Sequence, residues 1–166
     1  VDEYQKLVVS GIALGALGPI FLNDSTGRVD IPRLWTCMTS EAFSCDALIT
    51  SSMLTTYANL RRVSFWNEDI FLDYADWDLC WRLRSVGLKI LMTNVTVLQH
   101  VSGIGEVHFG SLRVLDEAPV RRYYQVRDFL KLLRKTYMPR RWRHAISFIK
   151  KLILQTFLLD KRWERS

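Results

Sequence analysis

Cysteine, glycine and proline are all scarce in this sequence, and each shortage removes a class of protein. Cys37, Cys45 and Cys80 are an odd number, with no C-x-x-C pair and no histidine at zinc-finger spacing. That argues against a disulfide framework or a structural zinc site. It leaves small buried hydrophobes in a reducing compartment. Eight glycines and four prolines, without repeat or low-complexity tract, exclude collagen-like and linker-like chains. No stretch reaches the roughly 18–20 consecutive apolar residues that span a bilayer. The longest candidate, Leu7 to Leu22, is broken by Gly11, Gly15, Gly18 and Pro19, and it lacks the charged-then-apolar layout of a secretory signal. Asn23-Asp24-Ser25 and Asn94-Val95-Thr96 are read as chance matches to the glycosylation triplet, the second lying in an apparent strand. Also missing is a Gly-rich strand–turn–helix: the chain opens in mid-helix with no nucleotide-binding unit, as if cut through a larger fold.

What is present is a globular composition. Hydrophobic residues make up 49% and charged residues 24% of 166 residues, enough for one domain with a real core. Charge is unevenly spread. Residues 121–166 hold 14 Lys and Arg against three acids, whereas residues 1–120 hold 9 against 14. An acidic body therefore carries a strongly basic C-terminal segment, drawn to phosphates of a membrane surface, a nucleotide or a nucleic acid.

Along the chain, Tyr4 to Leu14 reads as the end of a helix and Gly18 to Leu22 as a short buried strand. Asn23 to Gly27 is a turn cluster, and Arg28 to Ser44 shows no clear period. Cys45 to Thr50 reads as a strand, followed by a helix over Ser52 to Arg62. Asp76 to Val86 has an acidic start, apolar Leu79, Leu83 and Val86, and Gly87 just past its end, which predicts a helix. Lys89 to Leu98 is β-rich. From Pro119 the pattern is helical, with a break at Met138-Pro139. The mixture predicts an α/β body over residues 1–118 with a helical appendage over residues 119–166.

Chemistry concentrates between Glu68 and Asp78, where five carboxylates lie within 11 residues among aromatics. A purely structural reading has Asp76 capping the helix and Asp78 pairing with Arg82 four residues on. Against it, capping needs one acid, and Asp73 is left without a task. Acids crowded beside Tyr74 and Trp77 also suit a general base, because such surroundings raise a carboxylate's pKa.

The run from Phe71 through Asp73, Asp76, Asp78 and Arg82 to Gly87 resembles the acceptor-side motif of bacterial family 2 glycosyltransferases, in their rhamnosyltransferase-like branch. Other matching pieces follow in the family's order. They are Gly18-Pro19, Cys45 to Ser52, Leu98-Gln99-His100 with Gly103, Arg122 to Asp128, and Arg134 to Tyr137. The resemblance covers about Leu14 to Arg141. It implies a partial GT-A-like (Rossmann-related) mixed sheet with the helical appendage, and the acceptor-side half only. The implied activity is inverting transfer of a sugar, of rhamnose type, from a nucleoside-diphosphate sugar. The implied acceptor is a hydroxyl of a cell-surface polysaccharide or a lipid-linked glycan.

Carried over residue by residue, the resemblance makes Asp76 the catalytic base, with Ala75 where the preceding acid often stands. It makes Asp73, Asp78, Arg82, Ser51 and Ser52 supporting or acceptor-site residues. Arg122, Tyr124 and Arg127 fall on the diphosphate side, and His100 matches a metal- and diphosphate-facing histidine. The divalent cation (Mg2+ or Mn2+) belongs to the full-length enzyme, and none is expected to bind this segment tightly. Asp76-Trp77-Asp78 has the letters of the donor's D-x-D metal motif, but it opens a helix in the acceptor motif. Val63-Ser64 stands where Gly-Gly is common, which leaves that turn's shape open.

The basic tail, with Trp142, Phe148, Phe157 and Trp163 among its cations, suits either an interfacial helix on anionic lipid or a helix pair packed on the body. The first reading places the protein in the cytoplasm, peripheral on the inner face of the bacterial membrane. No nucleic-acid partner is expected, because the body is acidic and no binding signature accompanies the patch. The alternative to an enzyme is a non-catalytic interaction domain that keeps this scaffold and binds membrane or a partner through the tail.

Overall fold

The computed structural model describes the backbone of every residue except 24–27, 31–35, 38–40, 101–105, 110–111, 116–117 and 164–166, and side chains outside 23–40, 100–117 and 157–166. Two compact units result, Val1–Ser102 and Gly103–Ser166. This division falls earlier than the expected boundary after residue 118.

The first unit is a mixed α/β layer. Helix α1 (Asp2–Val9) precedes β1 (Leu14–Asn23), and the short strands β2 (Arg28–Asp30), β3 (Thr36–Cys37) and β4 (Ala42–Ser44) follow. Next come β5 (Leu54–Thr55), α2 (Tyr57–Arg62), a 3-10 turn (Leu72–Tyr74), α3 (Ala75–Ser85) and β6 (Lys89–His100). The sheet runs β2-β1-β6-β4-β3, with β5 also paired to β1. Among the described residues β1 and β6 pair parallel, while β2, β5 and β4 join them antiparallel. The ladder between β1 and β6 slips after Pro19, whose missing N–H cannot serve a central strand.

Alternation along the strands sends residues to two faces. On one face Ile20, Ile90 and Met92 pack with Leu79, Cys80 and Leu83 of α3. On the other, Leu17 and Leu91 pack with Tyr4 and Leu7 of α1. α3 ends where Gly87 takes a left-handed φ of 84°, and Leu88 N–H donates back to the Leu83 carbonyl at 3.1 Å. With so short a reversal, α3 runs back along β6, and its start lies toward the carboxyl ends of β1 and β6. In open α/β sheets that end gathers the ligands.

Several expectations shift. The first helix stops at Val9, and β1 is longer than Gly18 to Leu22. Cys45 to Thr50 is a loop and not a strand. Its Leu48 side chain lies over Gly18, where an added Cβ would come within 2.9 Å of it, and Leu48 N–H donates to Cys80 Sγ at 3.4 Å. A helix side chain thus takes the place of a strand partner. Helix α2 begins at Tyr57 because Thr56 caps it, its Oγ1 accepting from Asn59 N–H at 3.1 Å. The residues before it, Leu54 and Thr55, pair with β1.

The second unit holds the hairpin of β7 (Glu106–Phe109) and β8 (Leu112–Leu115), then α4 (Pro119–Leu133) and α5 (Arg141–Trp163). Pro119 opens α4, where its missing N–H costs nothing. Phe129 of α4 stacks on Phe148 of α5, with ring centroids 4.1 Å apart. The expected break near Met138-Pro139 separates these helices.

Candidate active site

The acids of the cluster divide by depth. Glu68 and Asp69 are exposed, Asp73 and Asp76 are half-buried, and Asp78 is fully buried. Helical spacing causes the last difference: residues two apart point about 200° away from each other around α3. Asp76 and Asp78 therefore point to different sides of α3.

Asp78 is structural. Its Oδ2 accepts from Arg82 Nε at 2.7 Å and its Oδ1 from Asn67 Nδ2 at 3.4 Å. Arg82 also donates through Nη1 to the carbonyls of Val63 and Phe65, the latter at 2.7 Å. One ion pair, with its carboxylate buried and its guanidinium partly exposed, thus fastens α3 to the turn that ends α2. Ser64 and Phe65 have φ of 58° and 60° there, and Phe65 N–H donates to the Leu60 carbonyl at 2.8 Å. The turn keeps a glycine-type conformation without glycine. Ser64→Gly is accordingly expected to stabilise the protein by up to about 1 kcal/mol, being relief of left-handed strain less the entropy glycine adds to the unfolded chain. A urea titration checks it, the expectation being a higher midpoint at unchanged slope.

Asp76 does not cap α3. The N-cap residue is Tyr74, which makes no side-chain capping bond, and the preceding 3-10 turn offers the Leu72 carbonyl to the Ala75 N–H. Asp76 sits inside the first turn, and its Oδ1 accepts a 2.6 Å hydrogen bond from Thr50 Oγ1. Its Oδ2 has no hydrogen-bond partner among the described residues.

Thr50 was not singled out from sequence, although Ser51 and Ser52 beside it were. Those two are exposed at a turn closed by Met53 N–H donating to the Thr50 carbonyl at 3.1 Å, and Ser52 has φ of 61°. Neither hydroxyl reaches an acid among the described residues. The loop carrying Thr50 is fastened to α3 by the ion pair of Asp46 with Arg84 and by the Leu48 bond to Cys80.

Burial pushes the thiols of Cys45 and Cys80 up to about 12, with the neighbouring charge of Asp76 adding to the effect on Cys80. Both therefore stay protonated and inert as nucleophiles at neutral pH. Cys37 lies outside the described side chains.

Around the acids the chain exposes Phe65, Trp66, Phe71 and Leu72. Leu72 holds a φ of 58° just before Asp73. Trp81 is buried, edge-on to Trp77 at 5.5 Å.

His100 closes β6 opposite Asn23, but its side chain lies outside the described residues. Among those that are described, no group of three or more His, Cys, Asp or Glu could hold a metal ion. The described residues thus do not fit a metal centre. Arg122, Tyr124 and Arg127 lie on α4 in the second unit. There Arg127 donates to Asp128 at 2.6 Å and stacks 4.5 Å above the Tyr124 ring.

Among known proteins, the chain is similar to the dTDP-rhamnosyl transferase RfbF of Shigella flexneri, at 29% identity over 97 residues. That match covers 58% of this chain and 33% of the relative, so the chain spans about a third of the length of the curated protein it matches. No family model matches, and no solved structure does. The similarity and the mixed α/β body together mark a glycosyltransferase-like region in this chain.

Proposed function

We propose that this chain is the acceptor-side part of an inverting sugar transferase in which Asp76 is the general base. The donor in this reading is a nucleoside-diphosphate sugar of rhamnose type. The acceptor is a hydroxyl of a cell-surface polysaccharide or a lipid-linked glycan. The observation that carries the reading is the carboxylate of Asp76. It is half-buried in the first turn of α3, with one oxygen fixed by Thr50 and the other without a partner among the described residues. The similarity to a rhamnosyl transferase supports it.

An acceptor hydroxyl is a poor nucleophile at neutral pH and must lose its proton as it attacks. Asp76 Oδ2 takes that proton while the hydroxyl oxygen bonds to the anomeric carbon. The bond from that carbon to the diphosphate breaks, and the nucleoside diphosphate leaves with the electron pair. One displacement of this kind inverts the anomeric configuration. A base placed within about 3 Å of the hydroxyl contributes on the order of 10²–10⁴-fold. The exposed aromatics Phe65, Trp66 and Phe71 offer flat apolar faces for the acceptor's sugar rings. In this reading Arg122, Tyr124 and Arg127 of α4 serve the donor's diphosphate, and the divalent cation, Mg2+ or Mn2+, falls to residues outside the described set.

Thr50 fixes which carboxylate oxygen faces the acceptor. Thr50→Val is expected to lower transfer by the full-length protein about tenfold, the worth of one hydrogen bond to a charged group, while Thr50→Ser retains activity. Initial rates with folding checked by circular dichroism test this. Equal losses in both variants would assign Thr50 to packing instead.

A further inference from the structure

The second unit carries an apolar surface that its own packing leaves open. On α5, the inward face is defined by Phe148, stacked on Phe129, by Gln155, and by Lys151, whose Nζ donates to Gln125 Oε1 of α4 at 3.2 Å. Turned away from that face are Trp142, Ile146, Ile149 and Ile153, which are 78%, 54%, 53% and 52% exposed. Their spacing of four, three and four residues puts them within an arc of about 60° over roughly 16 Å of helix. Four large apolar side chains in one exposed row are not the scattered single exposures normal for a protein surface.

The charges beside the row decide what covers it. Arg143 and Lys150 are exposed along one border, and Arg140 and Arg141 stand at the helix start. The segment from residue 121 onward has 14 cations against three acids. A second copy seated on the row would bring these cations against their own counterparts. An anionic surface that is apolar beneath satisfies both the row and its borders. No helix among the described residues is long and apolar enough to cross a membrane, so α5 would lie in the interface and not span it.

We propose that the Trp142–Ile146–Ile149–Ile153 row of α5 inserts among the lipids of an anionic membrane, with Arg143 and Lys150 seated on the headgroups. Trp142, the most exposed of the four, takes the interfacial position that suits an indole. This inference stands apart from the assignment of Asp76, since it uses only residues of the second unit.

The test is co-sedimentation of the full chain with phosphatidylcholine vesicles, with and without phosphatidylglycerol, across a salt series. The expected result is binding to the anionic vesicles that weakens as salt rises. I146S/I149S should weaken it at least about tenfold, and R143Q/K150Q by about fivefold for each cation removed. The four positions substituted are exposed or more than half exposed, so circular dichroism should show the fold intact. Three outcomes overturn the proposal. One is no difference between neutral and anionic vesicles. Another is vesicle binding that the I146S/I149S variant keeps in full. The third is a dimer in sedimentation that I146S/I149S dissociates, with no vesicle binding by the parent chain.

Discussion

Asp76→Asn in the full-length protein is expected to reduce sugar transfer by at least about 10²-fold with little change in melting temperature or donor affinity. Asparagine keeps the size of the side chain, and its carbonyl oxygen can still accept the hydroxyl of Thr50, which lies 2.6 Å from Asp76 Oδ1. Because Tyr74 and not Asp76 is the N-cap residue, the start of α3 keeps its capping and loses only a charge–dipole interaction of about 0.3–1 kcal/mol. What disappears is the oxygen able to take a proton from the acceptor. Turnover per folded molecule, measured beside the thermal transition, isolates this. Near-normal turnover would move the base to Asp73 or to another acid. A fall in melting temperature with unchanged turnover would return Asp76 to a structural role.

Arg82→Leu should produce the opposite pattern. Asp78 is fully buried, and Arg82 neutralises it at 2.7 Å while holding two carbonyls of the turn after α2. Removing Arg82 leaves the buried charge of Asp78 uncompensated, at a cost of about 3–5 kcal/mol. In a protein of this size that corresponds to a fall in melting temperature on the order of 10 °C. Any residual folded population should keep its turnover. Differential scanning calorimetry with activity normalised to folded protein checks it, and a loss below about 1 kcal/mol would show that the pair is dispensable. Asp78→Asn is expected to resemble Arg82→Leu and not Asp76→Asn, although Asp76 and Asp78 are only two residues apart.

Much of this arrangement was legible in the sequence because it is local. The α3 boundaries follow from its acids, its apolar spacing and Gly87, and the Asp78–Arg82 pair follows from one turn of helix. Long-range contacts were not legible. Thr50 meets Asp76 across 26 residues of chain, and no periodicity announces a single hydroxyl. The apolar run Ala47-Leu48-Ile49 reads as a strand, yet it forms a loop because Gly18 leaves room for Leu48 and a cysteine thiol takes its N–H. The left-handed turn at Ser64 was hidden for the converse reason. The residue type argues against the conformation, and Arg82, 19 positions from Val63, helps to hold it. Basic character in the tail was legible, but the division of α5 into a packed face and an open apolar row needed the packing of Phe148 on Phe129.

The most direct measurement is transfer itself. The full-length protein should be incubated with a panel of labelled nucleoside-diphosphate sugars, dTDP-rhamnose among them, with Mg2+ or Mn2+ and a mixture of glycan and lipid-linked acceptors. The anomeric configuration of the product should then be read by NMR. The account predicts a glycosidic product from at least one donor, with its configuration inverted and its formation abolished by Asp76→Asn. Product of retained configuration would contradict it, as would intact, folded protein that transfers sugar from no donor in the panel.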